Sequence, residues 1–414
     1  MTARLVASDP ARLWRSLWTI VLIMTMGVLL AACESFGFGD KPTAELPAAP
    51  PRPTAVIAPS QPSGPPVPVE GQVRIAVLLP LSHPSKDTRN VAQALLDAAQ
   101  MAMFDMGARS MVLLPRDTGN SPETAAAAAN DAIDKGAELI LGPLLANDVK
   151  AVAPVAKARN VPIIAFSTDR TVAGDGVFLL SFLPQQEVDR IVGYAASKGF
   201  TKFAALVPQT AYGQRVEEAF RNSIMQSGRE LVAVQNYAPN AQSLDPAVKA
   251  IAKMKFDAIF LPEGGNMLRS LGPILMINGV DATKVKLLGT GLWDDPQIAR
   301  ETSLVGGWYA VPPQDQRQNF ITRYQQLYGS KPPRIASLGY DAVALASTLA
   351  GGAPGRRYTR TTIADPNGFA GIDGIVRFRA DGVTERGLAV MEVTAAGQLS
   401  VVSPAATTFQ AQGF

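Results

Sequence analysis

From residue 73 onward, strand-like and helix-like runs alternate along the chain, and this alternation restricts the possible folds more than any other feature. The run from Arg74 to Pro80 is apolar at nearly every position, which indicates a strand buried on both faces. The segment 90–106 carries apolar residues at helical spacing and stops at Gly107. Strands separated by helices predict parallel sheets built from right-handed crossovers.

The strand-and-helix pattern runs to about residue 183 and then begins again. We therefore predict an α/β chain with two doubly wound lobes. The predicted strands are 74–80, 111–114, 139–141, 161–166, 177–182, 203–207, 231–237, 257–261 and 285–288. The predicted helices are 90–106, 121–135, 147–159, 185–198, 212–227, 267–278 and 335–349. Near the end, 374–378 and 388–393 predict a β-hairpin whose turn contains Asp381 and Gly382.

The first 32 residues have the layout of an export signal. Basic residues precede an apolar stretch, 17–32, that ends in small residues before Cys33, the single cysteine of the chain. The stretch is shorter than the roughly 20 residues that a membrane-spanning helix needs. This leader resembles a bacterial lipoprotein signal, so we predict a signal peptide over 1–32 and a lipid on Cys33. The alternative is an uncleaved membrane anchor with an incidental cysteine.

Residues 33–72 form a separate, proline-rich region. Ten prolines fall between Pro42 and Pro68, among alanine, serine and glycine. Such a composition cannot bury a core and favours the extended polyproline II conformation. We predict a disordered stalk that holds the folded body away from a membrane. The alternative is a spacer without that role.

The scarcity of histidine and cysteine narrows the possible chemistry. His83 is the single histidine, so a metal site of several imidazoles or thiolates is impossible. One cysteine permits no internal disulfide, and no G-x-S-x-G motif accompanies His83. We predict no catalytic residues, no metal and no cofactor. Without the leader's three arginines and one aspartate the formal charge falls from +3 to +1, and no basic cluster predicts nucleic-acid binding.

Six short strings follow one another between residues 73 and 382. They are VRIAVLLPLS at 73–82, DTGNSPETAAA at 117–127, LGPL at 141–144, VPIIAFST at 161–168, YGQ at 212–214 and GIVRFRADG at 374–382. Their order and spacing resemble the type I periplasmic-binding-protein superfamily in its leucine-binding-protein branch. Within that branch the strings resemble bacterial penicillin-binding protein activator lipoproteins, in which a helical-repeat domain often stands where this chain has the proline-rich stalk.

The resemblance implies that the two lobes exchange segments and enclose a cleft. It covers a periplasmic-binding-protein-like domain over about 73–402, followed by a tail, 403–414. The first lobe is expected to combine about 73–183 with 312–356. The second is expected to combine about 184–311 with 357–402. A ligand is expected in the central cleft, at the carboxyl ends of the strands.

The resemblance also implies a set of cleft residues. They are Ser82, Leu145, Ala146, Ser167, Thr168 and Asp169 from the first lobe and Tyr212 and Trp293 from the second. The chain departs from the family where Ala146 replaces a serine, Asp169 replaces a threonine, and Gly291 to Trp293 replaces the loop with the ammonium-binding glutamate. The alternative is that Ser167, Thr168 and Asp169 cap the next segment and that Trp293 is packing.

Two functions are compatible with these features. The first is a lipid-anchored, non-catalytic activator that binds a penicillin-binding protein and stimulates peptidoglycan synthesis. The second is the substrate-binding receptor of an ABC importer, which would bind a branched-chain amino acid or a related small molecule and dock on a permease. Both place the protein at the periplasmic face of the cell envelope, on the outer membrane in preference to the inner, held there by the lipid on Cys33.

Overall fold

Two large β-sheets, each with helices on both faces, and a small antiparallel sheet of three strands form the described part of the protein. The computed structural model describes residues 71–108, 110–395 and 397–409. The predicted signal peptide, Cys33, nearly all of the proline-rich stalk and the last five residues lie outside the described residues. The α/β class with doubly wound sheets is confirmed. In the described part of the chain, no helix is both long enough and apolar enough to cross a membrane.

The strands, in chain order, are β1 Val73–Leu79, β2 Met111–Asp117, β3 Leu139–Leu141, β4 Ile163–Ala165, β5 Val177–Leu179, β6 Lys202–Pro208, β7 Glu230–Tyr237, β8 Ala258–Phe260, β9 Lys286–Gly289, β10 Trp308–Val311, β11 Phe369–Gly371, β12 Gly374–Phe378, β13 Thr384–Arg386, β14 Ala389–Val393 and β15 Leu399–Ser403. The α-helices are α1 Lys86–Asp105, α2 Pro122–Asp134, α3 Ala146–Ala158, α4 Pro184–Ser197, α5 Ala211–Gln226, α6 Leu244–Ile251, α7 Gly265–Ile277, α8 Pro296–Ala299, α9 Arg317–Tyr328, α10 Ala336–Ala350 and α11 Arg360–Ile363.

The first sheet has the strand order β2-β1-β3-β4-β5, and its strands are parallel. Side chains of β1 alternate between its two faces, as the pleat of a strand requires. Ile75 and Val77 pack into the core that contains α1 and α10, whereas Ala76 and Leu78 pack into the core that contains α2 and α3. Both faces are therefore buried, which explains why this strand is apolar throughout.

The second sheet has the order β15-β14-β10-β9-β8-β6-β7. Strands β6 to β10 are parallel, and β14 and β15 add an antiparallel edge. Between β10 and β14 the chain returns to the first lobe. There Phe320 and Tyr324 of α9 join a cluster with Ala98 and Met101 of α1, and α10 packs along α1.

Two expectations about the C-terminal part are wrong. Residues 357–386 were expected in the second lobe, but Tyr358, Ile363 and Phe378 lie in the core of the first. The predicted hairpin also differs, because β12 pairs with β13, whereas β14 pairs with β10 of the second sheet. The turn at Asp381 and Gly382 therefore belongs to a shorter hairpin. Strand β14 is not part of this hairpin, because its residues are nearly all buried and fit the interior of a sheet better than an exposed two-stranded ribbon.

The chain crosses between the lobes beside a buried group of charges. Two guanidinium carbons lie over the ring of Phe182, that of Arg334 at 3.9 Å and that of Arg386 at 4.9 Å from its centroid. Arg334 forms an ion pair of 2.7 Å with Asp373, which is fully buried and also accepts a hydrogen bond of 2.5 Å from the hydroxyl of Ser337. We call Phe182, Arg334, Ser337, Asp373 and Arg386 the crossing cluster. The chain passes from the first lobe to the second after Phe182, where α4 begins, and again after Arg386, where β14 begins.

We expect Asp373→Asn to destabilise the protein by about 3 kcal/mol, because it leaves the guanidinium of Arg334 without its buried partner. Urea unfolding followed by circular dichroism measures the effect. The matched control is Asp134→Asn, which removes an exposed ion pair with Arg159 and should cost less than about 1 kcal/mol. Equal losses in the two variants would show that the crossing cluster contributes no more than a surface pair.

Candidate functional site

The carboxyl ends of the parallel strands bring the candidate residues to one edge of each sheet. In the first lobe, Ser82 follows β1, Leu145 follows β3 and Ser167 follows β4. In the second lobe, Tyr212 follows β6 and Thr290 follows β9. These edges are where open α/β sheets bind ligands.

Ser82 is exposed and belongs to a small hydrogen-bonded loop. The backbone N–H of Ser82 donates to Oδ1 of Asp117 at 3.2 Å, and that of Gly119 donates to the same oxygen at 2.9 Å. Burial opposes ionisation of this carboxyl, but the hydrogen bonds from Ser82 and Gly119 outweigh it and lower the pKa of Asp117. The ionised carboxylate of Asp117 therefore stabilises this loop through the two hydrogen bonds that it accepts.

Leu145 and Ala146 form the start of α3. Leu145 is the N-cap and makes no side-chain capping bond, and Ala146 is the first helical residue. The first turn also holds Asp148, which is 4% exposed and accepts a hydrogen bond of 3.1 Å from the Thr118 hydroxyl. Burial raises the pKa of Asp148. A ligand carboxylate at this helix start would share the first turn with another carboxyl group, which weakens the expected anion site.

The segment after β4 is held by its own side chains. Ser167 is buried, and its Oγ accepts a hydrogen bond of 3.1 Å from the N–H of Asp169. Asp169 accepts bonds from the hydroxyl of Thr171 at 2.7 Å and from its N–H at 2.9 Å. These bonds cap a short 3₁₀ turn and lower the pKa of Asp169. Thr168 is exposed beside them, so Ser167 and Asp169 have the capping role that the sequence left as an alternative.

Tyr212 lies at the cleft edge of the second lobe, with its hydroxyl engaged. Its OH is 2.9 Å from the hydroxyl of Thr290, a fully buried residue. Burial raises the pKa of Tyr212. The next residue must be small, because a Cβ at Gly213 would lie 1.9 Å from the carbonyl oxygen of Pro208. This close approach seats the first turn of α5 on the end of β6 and positions Tyr212.

Glu187 was not predicted from the sequence. This half-buried residue of α4 accepts a hydrogen bond of 2.9 Å on Oε2 from the N–H of Gly291. Burial, reinforced by the charge of Asp294, outweighs this bond and the charge of Arg334, and raises the pKa of Glu187 to about 7. Glu187 and Gly291 are 104 positions apart, so no short motif could have linked them.

A second carboxyl group, in addition to that of Glu187, lies near Tyr212. Glu263, which follows β8, accepts a hydrogen bond of 2.8 Å from the hydroxyl of Tyr237. Burial raises the pKa of Glu263. The charges of both Glu187 and Glu263 act on the hydroxyl of Tyr212. At the cleft edge of the second lobe, the hydroxyl of Tyr212 and the carboxyl groups of Glu187 and Glu263 therefore each have a hydrogen-bond partner within the chain.

Trp293 is not a cleft residue. It is fully buried in the core of the second lobe, and its Nε1–H donates to the carbonyl of Leu261 at 3.1 Å. The indole fills the space that two glycines leave free, since a Cβ at Gly289 would lie 2.3 Å from the ring and one at Gly307 would lie 2.6 Å from it. A ligand in the cleft cannot reach a ring without exposed surface.

A cavity of about 760 Å³ lies between the lobes. We call it the interlobe cavity. Thr168 and Asp169 line it from the first lobe, and Arg215 and Glu218 of α5 line it from the second. The β12–β13 turn, which contains Asp381, closes one side. Of the eight cleft residues predicted from the sequence, only Thr168 and Asp169 line this cavity. Among the described residues, no group of three or more histidine, cysteine, aspartate or glutamate side chains is placed to hold a metal ion.

Comparison with known proteins identifies the family. The family model described as periplasmic binding protein matches residues 72–398, so the chain belongs to the periplasmic binding protein family. The resemblance to its leucine-binding-protein-like branch is confirmed. A putative branched-chain amino acid ABC transporter protein from Rhodospirillum rubrum has the same fold, with a TM-score of 0.71 and 20% identity over 80% of this chain and 100% of that one.

Two curated relatives are similar over part of their length. An uncharacterized protein of Rickettsia prowazekii is 26% identical over 181 residues, which are 44% of this chain and 47% of that protein. Penicillin-binding protein activator LpoA of Vibrio cholerae is 26% identical over 170 residues, which are 40% of this chain and 28% of that protein. The matched segments span less than half the length of either relative.

We expect Trp293→Ala to cost about 3–5 kcal/mol of stability, as removal of a buried tryptophan from a core does. Thermal and urea unfolding measure the loss. Leu292→Ala, at the neighbouring position, which is 45% exposed, should change stability by about 0.5 kcal/mol or less. A small loss in the tryptophan variant would contradict its assignment to the core.

We expect Glu187→Gln to flatten the dependence of stability on pH. The folded pKa, about 7, lies above the ordinary value of 4.5, so the folded state keeps a proton that the unfolded chain releases, and stability falls as pH rises through this window. Glutamine still accepts the Gly291 bond and cannot ionise. At pH 8 it should stabilise by about 1–2 kcal/mol, since each pKa unit corresponds to about 1.4 kcal/mol and partial exposure reduces it.

Urea unfolding at pH 4 and pH 8 measures this difference. The matched control is Glu230→Gln, at an exposed position paired with Lys202, which should keep the parent's pH dependence. If Glu187→Gln has the same pH profile as the parent, the carboxyl of Glu187 is not held in a desolvated position.

Proposed function

We propose that this protein is a non-catalytic accessory protein of the cell envelope that stimulates a peptidoglycan synthase, as penicillin-binding protein activators do. One observation carries the proposal against a dedicated amino-acid receptor: the polar groups at the cleft edges bond to one another. Tyr212 bonds to Thr290, Asp169 to Thr171, and Glu187 to Gly291. An amino acid would have to displace these bonds before its own charged groups were satisfied.

The first turn of α3 supports the same proposal. A receptor for an α-amino acid needs a site for the ligand carboxylate, and Ala146 supplies no hydroxyl there, while Asp148 supplies a competing carboxyl. The similarity to the Vibrio cholerae activator covers 28% of that protein, so it supports the proposal for the shared domain. The proposed lipid on Cys33 and the proline-rich stalk would let a tethered protein reach a synthase across the periplasm.

Receptor function in an ABC importer is the second candidate. It is supported by the fold shared with a putative branched-chain amino acid transporter protein over the whole of that chain, and by Tyr212, which matches a family tyrosine that closes over the ligand. In that case the Tyr212–Thr290 bond would open when a ligand enters.

Two measurements on the mature protein separate these functions. We expect it to bind a purified bifunctional peptidoglycan synthase of the same bacterium and to raise the rate of glycan polymerisation. We also expect leucine, isoleucine, valine and the other amino acids to leave the melting temperature unchanged, although a true ligand at 100 times its Kd would stabilise by about 2.7 kcal/mol. Stabilisation by an amino acid, with no effect on the synthase, would reverse the assignment.

A further inference from the structure

The segment that follows β15 returns from the second lobe toward the first. Strand β15 pairs with β14 in the second sheet, and Ala405, two residues after β15, packs against the core of the second lobe. The next three residues are exposed, and Phe409 is half-buried again. We call residues 404–409 the strap. Its two half-buried residues lie at either end of an exposed stretch, so each has its own packing partner.

Phe409 packs on the small antiparallel sheet. This sheet consists of β11, β12 and β13, and it belongs to the first lobe because Val376 and Phe378 of β12 lie in the core of that lobe. A Cβ at Gly368, just before β11, would lie 2.9 Å from the ring of Phe409. The ring therefore occupies the space that the absence of a side chain at Gly368 leaves free.

A guanidinium group with fixed partners lies over the ring of Phe409. The Cζ atom of Arg377 is 4.5 Å from the ring centroid, within the range of a cation–π contact. Nε and Nη2 of Arg377 lie 2.9 and 2.8 Å from Oε2 of Glu385, and Nη1 donates to the carbonyl oxygen of Pro366 at 3.2 Å. The guanidinium is therefore oriented by residues of the first lobe alone, and Phe409 docks on a group that is already in place.

The strap is too short to follow a large movement of one lobe relative to the other. Ala405 and Phe409 are four residues apart, and four residues span at most about 14 Å when fully extended. Between them, the carbonyl oxygen of Ala406 would lie 2.7 Å from a Cβ at Gly387, the residue just before the loop into β14. The strap therefore runs beside the last of the three passages between the lobes and adds a fourth connection there.

We propose that the strap holds the angle between the two lobes fixed, with the ring of Phe409 as its anchor on the small antiparallel sheet. A hinge opens when a few backbone segments absorb the change in φ and ψ. A fourth connection that is anchored in both lobes has to be released before the other three can bend far. This inference goes beyond the proposed function, which concerns a synthase partner and does not specify whether the lobes move.

Double electron–electron resonance between two spin labels measures whether the lobes move. The labels are attached at Ala127→Cys on α2 of the first lobe and at Met225→Cys on α5 of the second, both of which are exposed. In the mature protein with Cys33→Ser these are the only two thiols. We expect one narrow distance distribution in the parent and a distribution about twice as wide or wider in Phe409→Ala, because the strap then loses its anchor.

A second variant and a matched control test the same contact. Arg377→Gln removes the cation over the ring without changing the strap itself, and it should also widen the distribution. Phe409→Tyr keeps an aromatic ring and should keep the narrow distribution. The control is Val401→Ala on β15, which removes an apolar side chain that is 58% exposed and lies outside the strap, and it should give the distribution of the parent. Circular dichroism checks that each variant is folded.

A distribution in both Phe409→Ala and Arg377→Gln that is as narrow as that of the parent would overturn the proposal, and so would a broad distribution in the parent. Synthase stimulation is measured on the same variants. A widened distribution with unchanged stimulation supports the strap independently of the proposed function. An unchanged distribution overturns the strap whatever happens to stimulation.

Discussion

The crossing cluster is the constraint on which the arrangement of the two lobes depends. Phe182 marks the first passage of the chain between lobes and Arg386 the last, and both meet Arg334 and Asp373 in one buried group. The middle passage lies beside them, because Pro313 contacts the backbone at Gly374. Buried charges are tolerated only where partners and geometry are fixed. The cluster therefore fixes the positions of the segments that connect the two lobes relative to one another.

The same group of charges extends into the cleft. The guanidinium of Arg334 acts on Glu187, whose carboxyl is bonded to the loop at Gly291, and Asp294 of that loop pairs with Arg317 at 2.8 Å. A change in the angle between the lobes would alter the contacts of Arg334 and Arg317, because these two arginines belong to segments of the first lobe. The Asp294–Arg317 pair joins the two lobes, whereas the Glu187–Gly291 and Tyr212–Thr290 bonds lie within the second lobe.

The sequence predicted what depends on local pattern. The buried strands of the first sheet and helix α10 follow from apolar composition and spacing. Helix α9 was not predicted, because only Phe320 and Tyr324 of its polar sequence are buried, and they face α1 more than 200 residues earlier. Contacts between distant segments also decide the roles of Trp293, which depends on the space at Gly289 and Gly307, and of Glu187. Periodicity carries no information about such contacts.

The polar side chains at the cleft edges already have hydrogen-bond partners within the chain. At the edges, Tyr212, Asp169 and Glu187 have partners within the chain, so a ligand gains only by exchanging one hydrogen bond for another. The interlobe cavity is lined by charges of both signs, with the guanidinium groups of Arg170, Arg215 and Arg379 beside four carboxylates.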